Sequence, residues 1–170
     1  MTLDEAVIAD ARALVGDLRK RARSALERMS AEELAWRPNG TSNSAGQLAL
    51  HVCGNLHEAI HVGFAGEAGA RDIFAEFEQN GPWDPGEIAA RVDGCLGDLD
   101  AWLAAASPAD LLGECVLPHG PKREGRRRRR LRVALSQVTH VAEHLGQIVY
   151  VAKLLQGEAF ASLSIPRRST

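Results

Sequence analysis

Apolar residues at Leu3, Val7, Ala11, Leu14, Leu18, Ala22, Ala25 and Met29 recur at steps of three and four, the spacing of one helical face. The pattern predicts a long amphipathic helix from Leu3 to about Met29. Ser30-Ala31-Glu32-Glu33 has the form of a capping box, but Pro38-Asn39-Gly40 follows and limits it to a short turn. Ser44-Ala45-Gly46-Gln47 repeats the capping pattern, and Leu48, Val52, Leu56, Ala59, Ile60 and Gly63 carry a second helix to about Phe64. The stretch from Ala65 to Trp83 reads as a connection with one helical turn near Ile73, Phe74 and Phe77. Asp84-Pro85-Gly86-Glu87 combines an N-cap with a proline at the first helical position. A third helix then follows Ile88, Val92, Cys95, Leu99 and Leu103 to about Ala106. Ser107-Pro108-Ala109-Asp110 starts a short turn, Cys115-Val116-Leu117 is β-prone, and an Arg-rich loop comes next. From Leu131 to Leu155, Val133, Gln137, His140, His144, Gln147, Val151 and Leu154 mark a fourth helix, with Gly157 at its stop. The expectation is an all-α, four-helix bundle over residues 1–157, with a short irregular connection before the last helix and a C-terminal tail at 158–170.

Composition narrows this picture. Of 170 residues, 45% are hydrophobic and only 5% aromatic, so aliphatic side chains must fill the core, and their alanine and leucine bias favours helix over strand. No apolar run approaches the roughly 18 residues needed to cross a bilayer, and Met1-Thr2-Leu3-Asp4-Glu5 does not look like a signal peptide. The chain is therefore expected to be cytoplasmic, with no membrane partner. Cys53, Cys95 and Cys115 are odd in number and far apart in sequence, which argues for reduced thiols over a disulfide framework or zinc knuckle. The net charge of -2 conceals a strong asymmetry. Lys122 to Arg132 holds eight basic residues and one acid, a net +7, which leaves -9 on the other 159 residues.

The candidate chemistry lies in the histidines. His140 and His144 stand four residues apart, so they share a helical face about 6 Å apart and can hold one ion between them. Val138, Val141, Leu145 and Ile148 flank them with apolar side chains. His51 sits on the apolar face of the second helix beside Leu48, Val52 and Leu56, where an unpaired imidazole is costly to desolvate. Three imidazoles can bind a tetrahedral ion and leave its fourth position for water or substrate, the arrangement of a catalytic zinc site. Helical geometry turns Cys53 about 200° away from His51 and sets His57 and His61 off the stripe by about 120° and 80°. Asn55 and Glu58 fall nearly in line with it. Asn55 is a candidate to support a ligand. Glu58 is a weaker candidate for a base or extra ligand and reads better as a solvated charge near the helix end. Ser136 and Gln147 lie on the stripe of His140 and His144, where either could accept an imidazole's second N–H. Glu143 reads as a surface charge, and His119 as an exposed loop residue. No Gly-rich phosphate loop or nucleophile elbow is present.

Residues Asn43 to Asn55, Asn-Ser-Ala-Gly-Gln-Leu-Ala-Leu-His-Val-Cys-Gly-Asn, followed much later by His140-Val141-Ala142-Glu143-His144-Leu145-Gly146-Gln147-Ile148, resemble the DinB/YfiT-like superfamily of metalloenzymes. Trp36-Arg37-Pro38 ahead of the second helix fits as well. The resemblance spans roughly residues 3 to 157 and implies a four-helix bundle, commonly dimeric. It implies a divalent metal such as zinc or nickel on three histidines, here His51, His140 and His144. Members include thiol S-transferases and isomerases that use low-molecular-weight thiols, so the implied partners are a small-molecule substrate, a small thiol and a second copy of the chain.

Two function classes compete. In the first, the chain is a metal-dependent transferase or hydrolase that activates a thiol or water at the three histidines, with no catalytic residue beyond them identified. In the second, a non-catalytic bundle binds nucleic acid or another polyanion through the Arg126 to Arg130 segment. The acidic body and the lack of interleaved aromatics weigh against the second. A metal-free histidine cluster in a structural or regulatory protein is the third possibility.

Overall fold

The capping patterns start helices where the sequence places them. In the computed structural model, which describes residues 1–119 and 124–160, the Thr2 side chain accepts from the Glu5 amide and opens α1 (Leu3–Leu26). Ser30 caps the short α2 (Ala31–Ala35), and Ser44 caps α3 (Ala45–His57), which runs on as a π-helical segment over Glu58–Phe64. Asp72 caps α4 (Ile73–Glu78), and Asp84 caps α5 (Pro85–Ala105). Ser107 caps α6 (Pro108–Leu112), and α7 (Arg130–Gln156) is the longest helix.

The long helices α1, α3, α5 and α7 form the bundle. Helix α1 packs on α5 and α7, and α3 packs on the same two, so α1 and α3 occupy opposite corners. Leu26, Leu56, Leu96, Leu99, Leu103, Val15, Val133 and Val141 are fully buried between them. The first stripe shifts slightly from its expected course. Leu14 is half-exposed, and Val15 takes its place in the series Ala11, Val15, Leu18, Ala22, Ala25 and Met29. Those alternating steps of four and three keep the apolar line facing its neighbours along the whole helix. Phe160, beyond the last helix, is buried against the core with the Arg28 guanidinium 5.8 Å over its ring. No helix among the described residues is long and apolar enough to cross a membrane.

Two features differ from expectation. The segment before α7 is a β-hairpin: β1 (Glu114–His119) pairs antiparallel with β2 (Glu124–Arg129). Arg126 to Arg129 therefore form a strand and not a loop, because the β-prone Cys115-Val116-Leu117 offers them a ladder partner, and Arg130 opens α7. His119 accordingly ends a strand. Lys122 and Arg123 of the basic run, and the tail from 161 on, lie outside the described residues. The hairpin seats on the bundle where Gly63 lacks a side chain, since a Cβ there would come within 2.7 Å of Leu117 Cδ2. The cysteines are the second feature. All three are free thiols, as the sequence suggests, yet Cys53 of α3 and Cys95 of α5 line one pocket despite their sequence separation.

Ion pairs tie α1 to α5. Arg19 holds Asp93 through two bonds of 2.9 and 2.7 Å, Arg23 adds a third at 3.1 Å, and Arg12 grips Asp100 at 2.8 and 3.2 Å. The Arg19 hydrogen bonds, against a smaller opposing effect of burial, hold the Asp93 carboxyl below its ordinary 3.8. A depressed carboxyl stabilises the fold above its unfolded value and loses that contribution as pH falls through its folded one. Asp93→Asn is expected to lower stability by about 1 kcal/mol near neutral pH. In urea unfolding the gap to wild type should shrink below pH 3.8 and close in stronger acid. A gap of constant size across that range would contradict the assignment.

Candidate metal centre

The histidine positions follow from two packed helices. His51 projects from the middle of α3, while His140 and His144 project one turn apart from α7. Because α3 and α7 pack against each other, the rings meet. His51 Nε2 lies 3.2 Å from His140 Nε2, and His144 Nε2 lies 3.1 Å from the same atom. The three ligand atoms sit within 4.8 Å of one another, with every ring partly buried. A tetrahedral ion with bonds of about 2.05 Å would set its nitrogens about 3.3 Å apart, so the donor set fits a small divalent ion. Burial, followed by the neighbouring histidines His144 and His51, lowers the His140 pKa to about 4. Burial and His51 also lower His144. Neutral imidazoles are the form that ligates.

The helical turn expected near Ile73 supplies the support, through two residues in and beside it, Glu76 and Arg71, that the sequence pattern did not single out. Glu76 Oε2 of α4 lies 3.0 Å from His51 Nδ1, and the Phe77 ring packs against the imidazole at 4.9 Å. Arg71 braces the carboxylate from behind, with Nε 2.6 Å from Oε1 and Nη2 2.8 Å from Oε2. Burial alone would raise the Glu76 carboxyl, but its bonds to Arg71 and His51 prevail and hold it below the usual glutamate value. Arg71 Nη2 also comes within 3.2 Å of His51 Nδ1, and the two contacts require opposite tautomers. The carboxylate contact sets the tautomer, since Nη2 already donates to Glu76, and an Nδ1–H leaves Nε2 with the lone pair that points to the other histidines.

Two residues of α3 make this approach possible. Buried Gln47, one turn before His51, donates its amide to the carbonyls of Phe77 and Gln79 and so fixes the end of α4. Gly54, one turn after the start of the same face, leaves the space that Glu76 and Arg71 fill; a Cβ there would clash with Glu76 Oε1 and meet Arg71 Nε at 2.9 Å.

The other expected residues divide. Gln147 reaches toward His144, with Oε1 3.5 Å from Nδ1, at the long limit for a hydrogen bond. Ser136 does not support an imidazole; its hydroxyl donates to the carbonyls of Arg132 and Val133. Glu58 is not a solvated charge. It is 8% exposed and held by Arg71 Nη1 at 3.3 Å, because the π-helical segment begins at that residue and turns it under the chain. Glu143 is exposed, as expected. His57 and His61 stack on each other at 4.6 Å away from the centre, and His61 faces Glu67 and Asp98. Beside the histidines opens a cavity of about 320 Å³, walled by His140, Gln137, Ser136, Asn55, Glu58 and Arg71 among others. Gln137 Oε1 and His140 Nδ1 are fully buried in the protein without a hydrogen-bond partner among the described residues.

The geometry dictates a tautomer that can be read directly. In the metal-free protein, ¹⁵N NMR of the imidazoles should show His51 protonated at Nδ1. Gly54→Ala, which displaces Glu76 without changing a ring, should erase that preference while circular dichroism retains the helical signal. A His51 protonated at Nε2 in the wild type would contradict the carboxylate's role.

Relatives share this architecture. The sequence matches the family model described as the DinB superfamily over residues 15–148, and a second model, described as a protein of unknown function, over residues 130–169. No curated protein matches the chain. The fold is similar to the crystal structure of a conserved protein from Enterococcus faecalis, at 14% identity over 93% of this chain and 99% of that one, with a TM-score of 0.67. It is also similar to that of a candidate DinB-family member from Exiguobacterium sibiricum, at 18% identity over 93% and 95%, with a TM-score of 0.64. A match across most of the bundle, through both helices that carry the histidines, places the chain in a family: it belongs to the DinB superfamily.

Proposed function

We propose that this chain binds one divalent ion, zinc or nickel, through His51, His140 and His144, and that it is a metal-dependent enzyme activating a small thiol or a water molecule for attack on an electrophilic substrate. The observation that carries the reading is the meeting of three imidazole Nε2 atoms from two helices, at 3.1 and 3.2 Å, beside a cavity large enough for a ligand. A divalent ion held there would lower the pKa of a thiol or water in its remaining position.

The chain's own groups define the rest. Glu76 fixes the His51 ring by accepting its Nδ1–H, and Arg71 keeps that carboxylate ionised and in place. Such support of a ligating imidazole is worth about 10- to 100-fold in metal affinity. Glu58, the one carboxylate lining the cavity among the described residues, is held by Arg71 and is poorly placed to act as a general base. That favours a thiol, which ionises more readily than water and needs no base. The polyanion reading finds less support, since Arg127 and Arg130 are engaged by Glu114 and Asp110 and Arg128 lines the cavity.

The wild type is expected to carry about one equivalent of zinc or nickel by elemental analysis. His51→Ala, His140→Ala and His144→Ala should each reduce it at least tenfold with the helical signal intact. Glu76→Gln should weaken zinc about tenfold or more in competition with a chromophoric chelator. Cobalt-loaded protein should change its visible spectrum on addition of a small thiol but not of the matching alcohol. Metal uptake that is absent, or indifferent to the histidines, would overturn the proposal.

A further inference from the structure

The basic run has a structural logic that the metal site does not use. In the hairpin register Cys115 stands opposite Arg128 and Leu117 opposite Arg126. Side chains directly opposite share a face of the sheet. Cys115 is buried and Leu117 packs against the core, so this is the inner face, and it turns Arg128 toward the bundle. Val116, Glu114 and Arg127 lie on the outer face, where Arg127 pairs with Glu114 at 3.1 Å.

Arg128 reaches the cavity beside His140. The other charged groups around that wall are already paired with one another. Arg71 spends all three guanidinium nitrogens on Glu58, Glu76 and the His51 carbonyl. Arg128 has no ion-pair partner among the described residues, whereas Arg127 and Arg130 each have one. Arg128 therefore places a cation without a direct ion-pair partner among the described residues at one side of the cavity. Ile73, Leu117, Pro118 and Val133 give it an apolar surface. Gln137, 6% exposed, contributes to the same wall. A cation beside an apolar wall matches a compact organic acid.

We infer that the substrate of the three-histidine site carries a carboxylate, which Arg128 binds at the mouth of the cavity while Ile73, Leu117 and Val133 receive its hydrocarbon body. This rests on the reading of that site as a metal-dependent enzyme and names its substrate class. The Arg-rich strand is thus the element that sets specificity. A charge-assisted bond of this kind in a half-buried setting discriminates acid from amide by at least tenfold.

The test is isothermal titration of the full chain, metal-free and zinc-loaded, with two matched pairs: benzoate against benzamide, and 4-methylvalerate against its amide. In metal-free protein at least one acid is expected to bind tenfold or more tightly than its amide. Arg128→Gln should abolish that preference while zinc uptake stays at the wild-type level, Arg128→Lys should retain part of it, and Arg129→Gln should leave it intact. If zinc is not taken up but the Arg128-dependent preference holds, the metal reading fails and the acid-binding site stands. The inference is overturned if neither acid outbinds its amide. It is also overturned if the preference survives Arg128→Gln, including a preference that appears only when zinc is loaded, which would mean that the carboxylate sits on the ion.

Discussion

Three imidazole nitrogens aimed at one point place a demand on everything around them. Neutral rings at 3.1 and 3.2 Å can share at most a proton or two, so lone pairs must face each other unless a cation lies between them. Burial pushes His140 and His144 toward the neutral form and so sharpens the conflict. The arrangement survives because the rings are held from outside. Gln47 anchors the end of α4, Glu76 takes up the Nδ1 of His51, and Arg71 immobilises Glu76. Glu76 and Arg71 reach their places only because Gly54 leaves room on α3. The packing of α3 against α7 then converts one-turn spacing on one helix and a lone histidine on another into a single donor set.

Periodicity made the bundle legible. Apolar steps of three and four, with Ser44 and Asp84 as caps, locate α5, and α3 together with its π-helical continuation, to within a residue or two. The i, i+4 pair on α7 and the histidine on the apolar face of α3 were likewise readable, since a costly buried imidazole implies a partner. What periodicity could not reveal lies between the helices. Arg71 and Glu76 fall in a connection with no repeating pattern, and their importance comes from where α4 docks, which is a tertiary fact. Gly54 is a partial signal, because a glycine inside a helix one turn from a candidate ligand often marks a close approach. Glu58 was misread for a related reason. Its position near the end of an α-helical stripe suggested solvent, but the backbone passes into a π-helical turn there, and such turns often accompany functional sites.

The Arg-rich segment shows how charge counting can mislead. Five consecutive arginines look like a solvated run, yet an antiparallel partner imposes a period of two and sorts the first four, Arg126 to Arg129, into an outer and an inner face. Arg127 then neutralises Glu114, while Arg128 reaches the cavity beside His140. The same strand that makes the chain look like a polyanion binder closes one side of the candidate site. Its neighbour Leu117 fits against Gly63, so the hairpin and the π-helical segment are shaped to each other.

Diffraction from crystals grown with zinc, recorded on both sides of the zinc absorption edge, tests the central claim most directly. The account predicts a single strong anomalous peak about 2.1 Å from the Nε2 atoms of His51, His140 and His144, with the Glu76 carboxylate still on His51 Nδ1. Density without such a peak, or rings turned away from one another around an empty junction, would contradict it.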